Sequence, residues 1–116
     1  MSDEQFSVHF MDHPSRYELR DGDKAIGEAR FKDVEVDGQA QRIFYHTEVS
    51  EDYSGQGLAG RLASYALQRT EAENRVVVPV CPYIKAYVAK HPEYQDNSTP
   101  AQPKHLELLG GVAKDH

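Results

Sequence analysis

The sequence predicts an α/β (α+β) domain: a twisted, mostly antiparallel sheet with one βαβ crossover, splayed parallel strands, and helices on its faces. Three observations predict it. Period-two runs separated by Asp-Gly pairs fill the stretch from Arg16 to Val49. The hydrophobic period then lengthens to that of a helix. A short apolar run holding a proline, Val76 to Val80, follows that helix.

Each element has its own signal. Arg16-Tyr17-Glu18-Leu19 alternates, and Asp21-Gly22 supplies a turn. In Ala25–Phe31, the residues Ala25, Gly27, Ala29 and Phe31 share one face, with Glu28 and Arg30 on the other. The apolar parity shifts at Val34 and Val36, which predicts a turn or bulge near Lys32-Asp33. Asp37-Gly38 is the second hairpin turn. Arg42–Val49 is the strongest strand, rich in β-branched and aromatic residues. Its alternation puts Ile43, Tyr45, Thr47 and Val49 on one face and Phe44, His46 and Glu48 on the other. From Gly57 to about Glu73, Leu58, Leu62, Tyr65 and Ala66 form a helical row beside Ala59, Ala63 and Leu67. Arg75–Val80 reads as a buried strand. Pro82 opens a second helix with Tyr83, Ile84, Tyr87 and Val88 inward, and His91-Pro92 ends it. Residues 1–96 form a single domain. Residues 97–116 form a C-terminal tail, flexible unless Leu106, Leu108 and Leu109 dock.

Composition narrows the function. The chain has 116 residues, enough for one modest core, with 39% apolar and 28% charged residues. No apolar run is long enough to span a membrane, and the acidic start Met1–Gln5 is not a signal peptide. The net charge of -6 argues against general nucleic-acid binding and is compatible with a cationic acceptor. A single cysteine, Cys81, excludes an intramolecular disulfide and fits a reducing cytoplasm. The histidines show no metal-ligand spacing, so no metal is expected.

The chemistry concentrates after the strongest strand. Ser54-Gly55-Gln56-Gly57-Leu58-Ala59-Gly60-Arg61 lies between it and the longest helix. Small residues let backbone N–H groups approach a ligand, and the first helical turn has unpaired donors and a favourable dipole for anions. A pyrophosphate fits there without a metal, with Arg61 adding a charge-assisted bond. A plain strand-to-helix turn is the alternative. Pro79 cannot donate to a sheet ladder, so pairing beside Val49 should fail near it and splay the two parallel strands at their carboxyl ends. The other reading of Pro79 is an edge strand that opens nothing.

Cys81, just before Pro82, takes the cap position of the second helix, where a helix N-terminus favours the thiolate. Its sulfur would sit at the mouth of the crevice and could take an acyl group from a thioester. His46, near the same end of the neighbouring strand, could serve as general base for the thiol or for an acceptor amine. A small buried cysteine and a hydrogen-bonded strand histidine are the alternatives. Tyr83, Tyr87 and Tyr94 are other proton donors, and Glu48 and Asp52 could bind a cationic acceptor.

Four segments together resemble a known family: His46-Thr47-Glu48-Val49, Gly55-Gln56-Gly57-Leu58-Ala59, Val78-Pro79-Val80-Cys81-Pro82-Tyr83 and His91-Pro92-Glu93-Tyr94. They are similar to the small GCN5-related N-acetyltransferase-like proteins of the YjdJ type over about residues 16 to 96. The resemblance implies a GNAT-like acyl-CoA N-acyltransferase fold with acetyl-CoA (coenzyme A) between splayed strands. It implies that Val49 lies on the strand that meets pantetheine, and that the backbone of Gly55, Gln56, Gly57, Leu58, Ala59, Gly60 and Arg61 takes the pyrophosphate. It also implies a catalytic pair, Cys81 and His46. Ser54 departs from the pattern, standing where Arg or Gln is expected.

The expected function is an acetyltransferase that moves an acetyl group from acetyl-CoA to an unknown nucleophile, an amine first. Cys81 either is acylated or only lines the site. The alternative is a non-catalytic module that binds CoA or acyl-CoA. The expected partners are acetyl-CoA and an unknown acceptor, with no nucleic acid and no membrane. A monomer or weak homodimer in the cytoplasm is expected.

Overall fold

A computed structural model describes residues 5–110. Among these, strands β1 (Phe6–Met11), β2 (Arg16–Asp21), β3 (Lys24–Val36), β4 (Gln39–Val49) and β5 (Val76–Pro79) form one sheet in chain order. The first four run antiparallel, and β4 and β5 run parallel. Helix α1 (Leu58–Ala72) makes the crossover between them, and α2 (Pro82–Lys90) follows β5. A third helix, α3 (Pro103–Leu109), closes the described chain. The acidic start through Glu4 and Gly111 onward lie outside the described residues.

The two hairpin turns form where Asp-Gly pairs announce them. Gly22, Asp37 and Gly38 all take positive φ, at 61°, 53° and 82°. Two successive positive φ values at Asp37-Gly38 match the twist of the strands they join.

The sheet has two working faces. The near face packs α1 and α2 onto Tyr17, Leu19, Ala29, Phe31 and Phe44 through Leu58, Leu62, Ala66, Ile84 and Val88. On the far face, Leu109 of α3 meets Ile43, Tyr45 and Val78, with Val34 and Val80 alongside. That second cluster explains the parity shift in β3. No break occurs at Lys32-Asp33. The strand runs unbroken to Val36, with Phe31 serving the near core and Val34 the far one.

The irregularity lies in the partner strand. Arg30 pairs with His46 and Phe31 with Phe44, so Tyr45 is the extra residue of a bulge. The bulge corrects the alternation expected for β4. Ile43 and Tyr45 face the far cluster, whereas Thr47 and Val49 turn to the near side. Phe44 is near, and His46 and Glu48 are far, beside Glu28. A second bulge between Leu19 and Arg20 leaves Ile26 extra in β3, so Ile26 is buried and Ala25 is exposed.

Two elements differ from expectation. β1 precedes the strands read from the sequence, and its alternating Phe6 and Val8 pack against the near core. Residues 97–110 are not a loose tail. Ser98 bridges Val77, the Thr99 N–H donates to the Val77 carbonyl at 2.9 Å, and α3 buries His105 and Leu109. Leu106 and Leu108 stay exposed, because a two-turn helix lying on a sheet buries one side only.

Candidate functional site

The site begins where the β4–β5 ladder stops. Their parallel pairing runs from Gln41 and Val76 to Phe44 and Pro79. Beyond it, the N–H groups of Val80 and Cys81 both donate to the Phe44 carbonyl, at 3.0 and 2.9 Å. β4 continues five residues further, to Val49. The Ser50 N–H bonds the Ile26 carbonyl of β3 at 2.7 Å. By the alternation of a strand, the amide and carbonyl of Val49 therefore face the opposite edge, which β5 has left. Gly27 makes close approach of β3 to this stretch possible, since a Cβ there would lie 2.9 Å from the Glu48 carbonyl oxygen.

Helix α1 starts beside this free edge. Its N-cap is Gly57, in the left-handed region at φ 72°, and no side chain caps the helix among the described residues. The Arg61 N–H is bonded back to the Gly57 carbonyl. The first-turn amides of Leu58, Ala59 and Gly60 lack acceptors within the helix. Gly55 also has positive φ, 82°, so the turn bends without side chains crowding the helix end. A cleft of about 380 Å³ lies between these elements. Thr47 and Val49 form one wall, Gly55 and Gly57–Gly60 the other, and Tyr83 stands across from them. Gln56 and Arg61 do not line the cleft: both are exposed, and Arg61 reaches the Phe6 carbonyl of β1 at 3.4 Å.

Cys81 is the N-cap of α2, with Pro82 behind it. It lies under the cleft wall rather than at the mouth, 3% exposed, its sulfur 3.2 Å from Thr47 Oγ1. The strand separates this sulfur from His46. Thr47 points to the near side, and the neighbouring His46 points to the far side, where its Nε2 meets Glu48 at 3.0 Å and Glu28 at 3.9 Å. The pair Cys81 and His46 therefore occupies two faces of β4 and not one hydrogen-bonded unit.

Of Tyr83, Tyr87 and Tyr94, Tyr83 borders this cleft, and Tyr53 lines it as well. Tyr83 is half-exposed rather than inward, and burial raises its phenol above the usual range, with the charges of Tyr87 and Cys81 adding to that. Tyr87 stacks on His91 at 3.9 Å, and Tyr94 is buried against Ser64 and Gln68. Thr47, like Ser50 and Tyr53, is a lining residue that sequence reasoning left without a role. Its signal was its place at the free end of the strongest strand. Glu28, His46 and Glu48 bring ligand-type atoms within 4.8 Å of one another, a grouping hidden by the 17 residues between the first two. Arg30 already holds Glu28 at 2.9 Å, so the group is a ladder of alternating charge on an open sheet face.

Comparison with known proteins agrees with the fold. The family model described as GCN5-related N-acetyl-transferase matches residues 16–97. No curated protein matches the chain. Among solved structures, the fold is similar to a ribosomal-protein-alanine N-acetyltransferase from Brucella melitensis biovar Abortus 2308 (TM-score 0.54, 21% identity, 76% of this chain and 63% of that one). It is also similar to an aminoglycoside acetyltransferase, meta-AAC0020, from an uncultured soil metagenomic sample, solved with sisomicin (TM-score 0.55, 13% identity, 70% and 56%). A third is the GCN5-related glucosamine N-acetyltransferase region of a fungal multi-domain GH3 beta-N-acetylglucosaminidase (TM-score 0.52, 22% identity, 60% and 8%). The chain spans less than two thirds of each of these structures.

Proposed function

This chain belongs to the GCN5-related N-acetyltransferase family, and on that premise we propose that it transfers an acetyl group from acetyl-CoA to a nucleophile, an amine in the first instance. The observation that carries the proposal is the uncapped start of α1, opening on a cleft at the point where β4 and β5 part. Three amides without helical acceptors and a favourable dipole suit a pyrophosphate. The residues fit that group, because Gly57 puts no side chain over the amides and Gly55 keeps the turn open. The free edge at Val49 offers a backbone amide and carbonyl to the amide groups of the pantetheine arm. The thioester of acetyl-CoA supplies the activated acetyl group.

Two routes use this arrangement. In one, Cys81 takes the acetyl group and passes it on. In the other, the acceptor attacks the thioester directly and Cys81 only packs beneath the site. His46, on the far side of β4 with Glu48, then serves an acceptor arriving at that face rather than the sulfur. The same reading includes Gln56 and Arg61 as an outer rim, and a monomer or weak homodimer in the cytoplasm. Among the described residues no helix is long and apolar enough to cross a membrane.

Titration calorimetry with CoA and acetyl-CoA tests the proposal. One molecule of either should bind per chain. Gly57→Asp, which sets a carboxylate against the same amides, should weaken binding at least tenfold. Absence of any binding would remove the donor and the proposal with it. Unchanged affinity in the variant would move the pyrophosphate elsewhere. Ser54, standing where the family pattern has Arg or Gln, favours a second reading, a module that binds CoA without turnover. CoA release above the hydrolysis background, with any member of an amine, peptide and polyamine panel, would exclude that module.

A further inference from the structure

The hydroxyl of Thr47 lies beside the buried sulfur, on a residue that lines the cleft. Thr47 lines the cleft, and Cys81, 3% exposed, donates its thiol hydrogen to Thr47 Oγ1 at 3.2 Å. Both ends of this contact are fixed. Thr47 is β-branched, which restricts χ1 in a strand. The Cys81 N–H is bonded to the Phe44 carbonyl at 2.9 Å, and its own carbonyl accepts the Lys85 N–H at 3.0 Å as α2 begins. A hydroxyl can accept one hydrogen bond and donate another at the same time. With the thiol on its oxygen, the Thr47 hydrogen can turn to an acceptor in the cleft.

We propose that Thr47 relays the proton when Cys81 is acetylated. The inference rests on the reading that acetyl-CoA occupies the cleft and on the covalent route through Cys81. In that step a bond forms between Cys81 Sγ and the thioester carbonyl carbon, and the bond from that carbon to the CoA sulfur breaks. The Cys81 proton passes to Thr47 Oγ1 while the Thr47 proton passes to the departing sulfur. Thiol and acetyl-CoA give S-acetyl-Cys81 and CoA thiol, and the hydroxyl is regenerated. The bulge at Tyr45 makes this arrangement possible, since it turns Thr47 and not His46 toward the sulfur.

The test is mixing with acetyl-CoA alone, rapid quench, and intact mass at timed points. The wild type should gain one acetyl group on Cys81. Thr47→Val, nearly isosteric but without a hydroxyl, should gain it at least tenfold more slowly at saturating acetyl-CoA. Thr47→Ser should recover most of the rate, and Thr47→Ala should behave like Thr47→Val if valine perturbs folding. Acetylation of Thr47→Val at the wild-type rate would overturn the relay alone. So would an equal loss in Thr47→Ser, which would mark a packing effect. A wild type that binds acetyl-CoA but never acquires the acetyl group would overturn the covalent route, and the relay with it, leaving donor binding intact.

Discussion

Arg42 carries a charge into the near core. Its side chain is 4% exposed, and it donates to both Asp33 oxygens at 2.6 and 2.9 Å, to Glu73 at 2.8 Å and to the Tyr17 hydroxyl at 2.7 Å. One guanidinium thus joins β2, β3, β4 and the end of α1. Burial, its largest influence, pushes the Tyr17 phenol up to about 12, so it stays protonated around neutral pH and its oxygen accepts from Arg42. Removing Arg42 would strand that oxygen and leave two carboxylates facing each other. Arg42→Met should cost about 3 kcal/mol in urea unfolding. The cost should shrink in a Tyr17→Phe background, where no buried hydroxyl is left unpaired. A loss below about 0.5 kcal/mol, in the range of an exposed ion pair, would contradict the account. The sequence hid this residue. Arg42 opens a strand whose signal is its β-branched and aromatic residues, and its partners lie 9, 25 and 31 residues away.

At the scale of one element, α3 depends on an uncharged histidine. His105 is 1% exposed, and its Nδ1 accepts from the Gln102 N–H at 3.0 Å. A backbone N–H can only donate, so the ring proton sits on Nε2 and donates to Gln41 Oε1 at 2.8 Å. Protonation would set two donors against each other. Burial first, and then the Lys104 charge, lower the His105 pKa in the fold. The nearby charges are Lys104 itself and Asp37, paired at 3.6 Å. The folded state therefore favours the neutral ring. Its stabilisation is complete above the unfolded pKa of about 6.5 and declines as pH falls below it. For one proton the slope reaches at most about 1.4 kcal/mol per pH unit. Urea unfolding from pH 7.5 to 5 should show a steeper loss for the wild type than for His105→Gln, with the gap opening below pH 6.5. Parallel curves would show that this histidine does not govern docking. Proline and glycine around α3 make the segment look loose in sequence. Leu109, the buried His105 ring, whose partner Gln41 is 64 residues away, and Lys32, donating to the Leu108 carbonyl at 2.6 Å, hold it in place.

For the molecule as a whole, fold and ligand should be linked. A donor that binds the folded chain alone stabilises it by about 2.7 kcal/mol at a hundred times its Kd. CoA at that excess should raise the thermal midpoint, and Gly57→Asp should lose most of the rise. An unshifted midpoint in the wild type at saturation would break the link. The larger design was legible because its causes are local. Asp-Gly pairs set the hairpins, the change of hydrophobic period marked α1, and Pro79 stopped the β5 ladder at Phe44. β1 carries the same alternation in Phe6, Val8 and Phe10, but it follows the acidic start directly, with no turn pair before it to set it off. What stayed hidden depends on contacts between distant segments. The far-side cluster that accounts for Val34 needs α3, and the cleft needs Gly27 to let β3 approach β4.

The additional residue at Tyr45 acts on β4 as a frameshift acts on a two-letter code. Up to Phe44 the even positions serve the helices; from Thr47 the odd positions do. A strand that kept Tyr45 but lost the bulge would return to a plain zigzag. Thr47 and Val49 would swing out toward the charged side, and His46 and Glu48 would be delivered inward over the sulfur. Composition would stay the same, yet the two surfaces of the sheet would have traded chemistries.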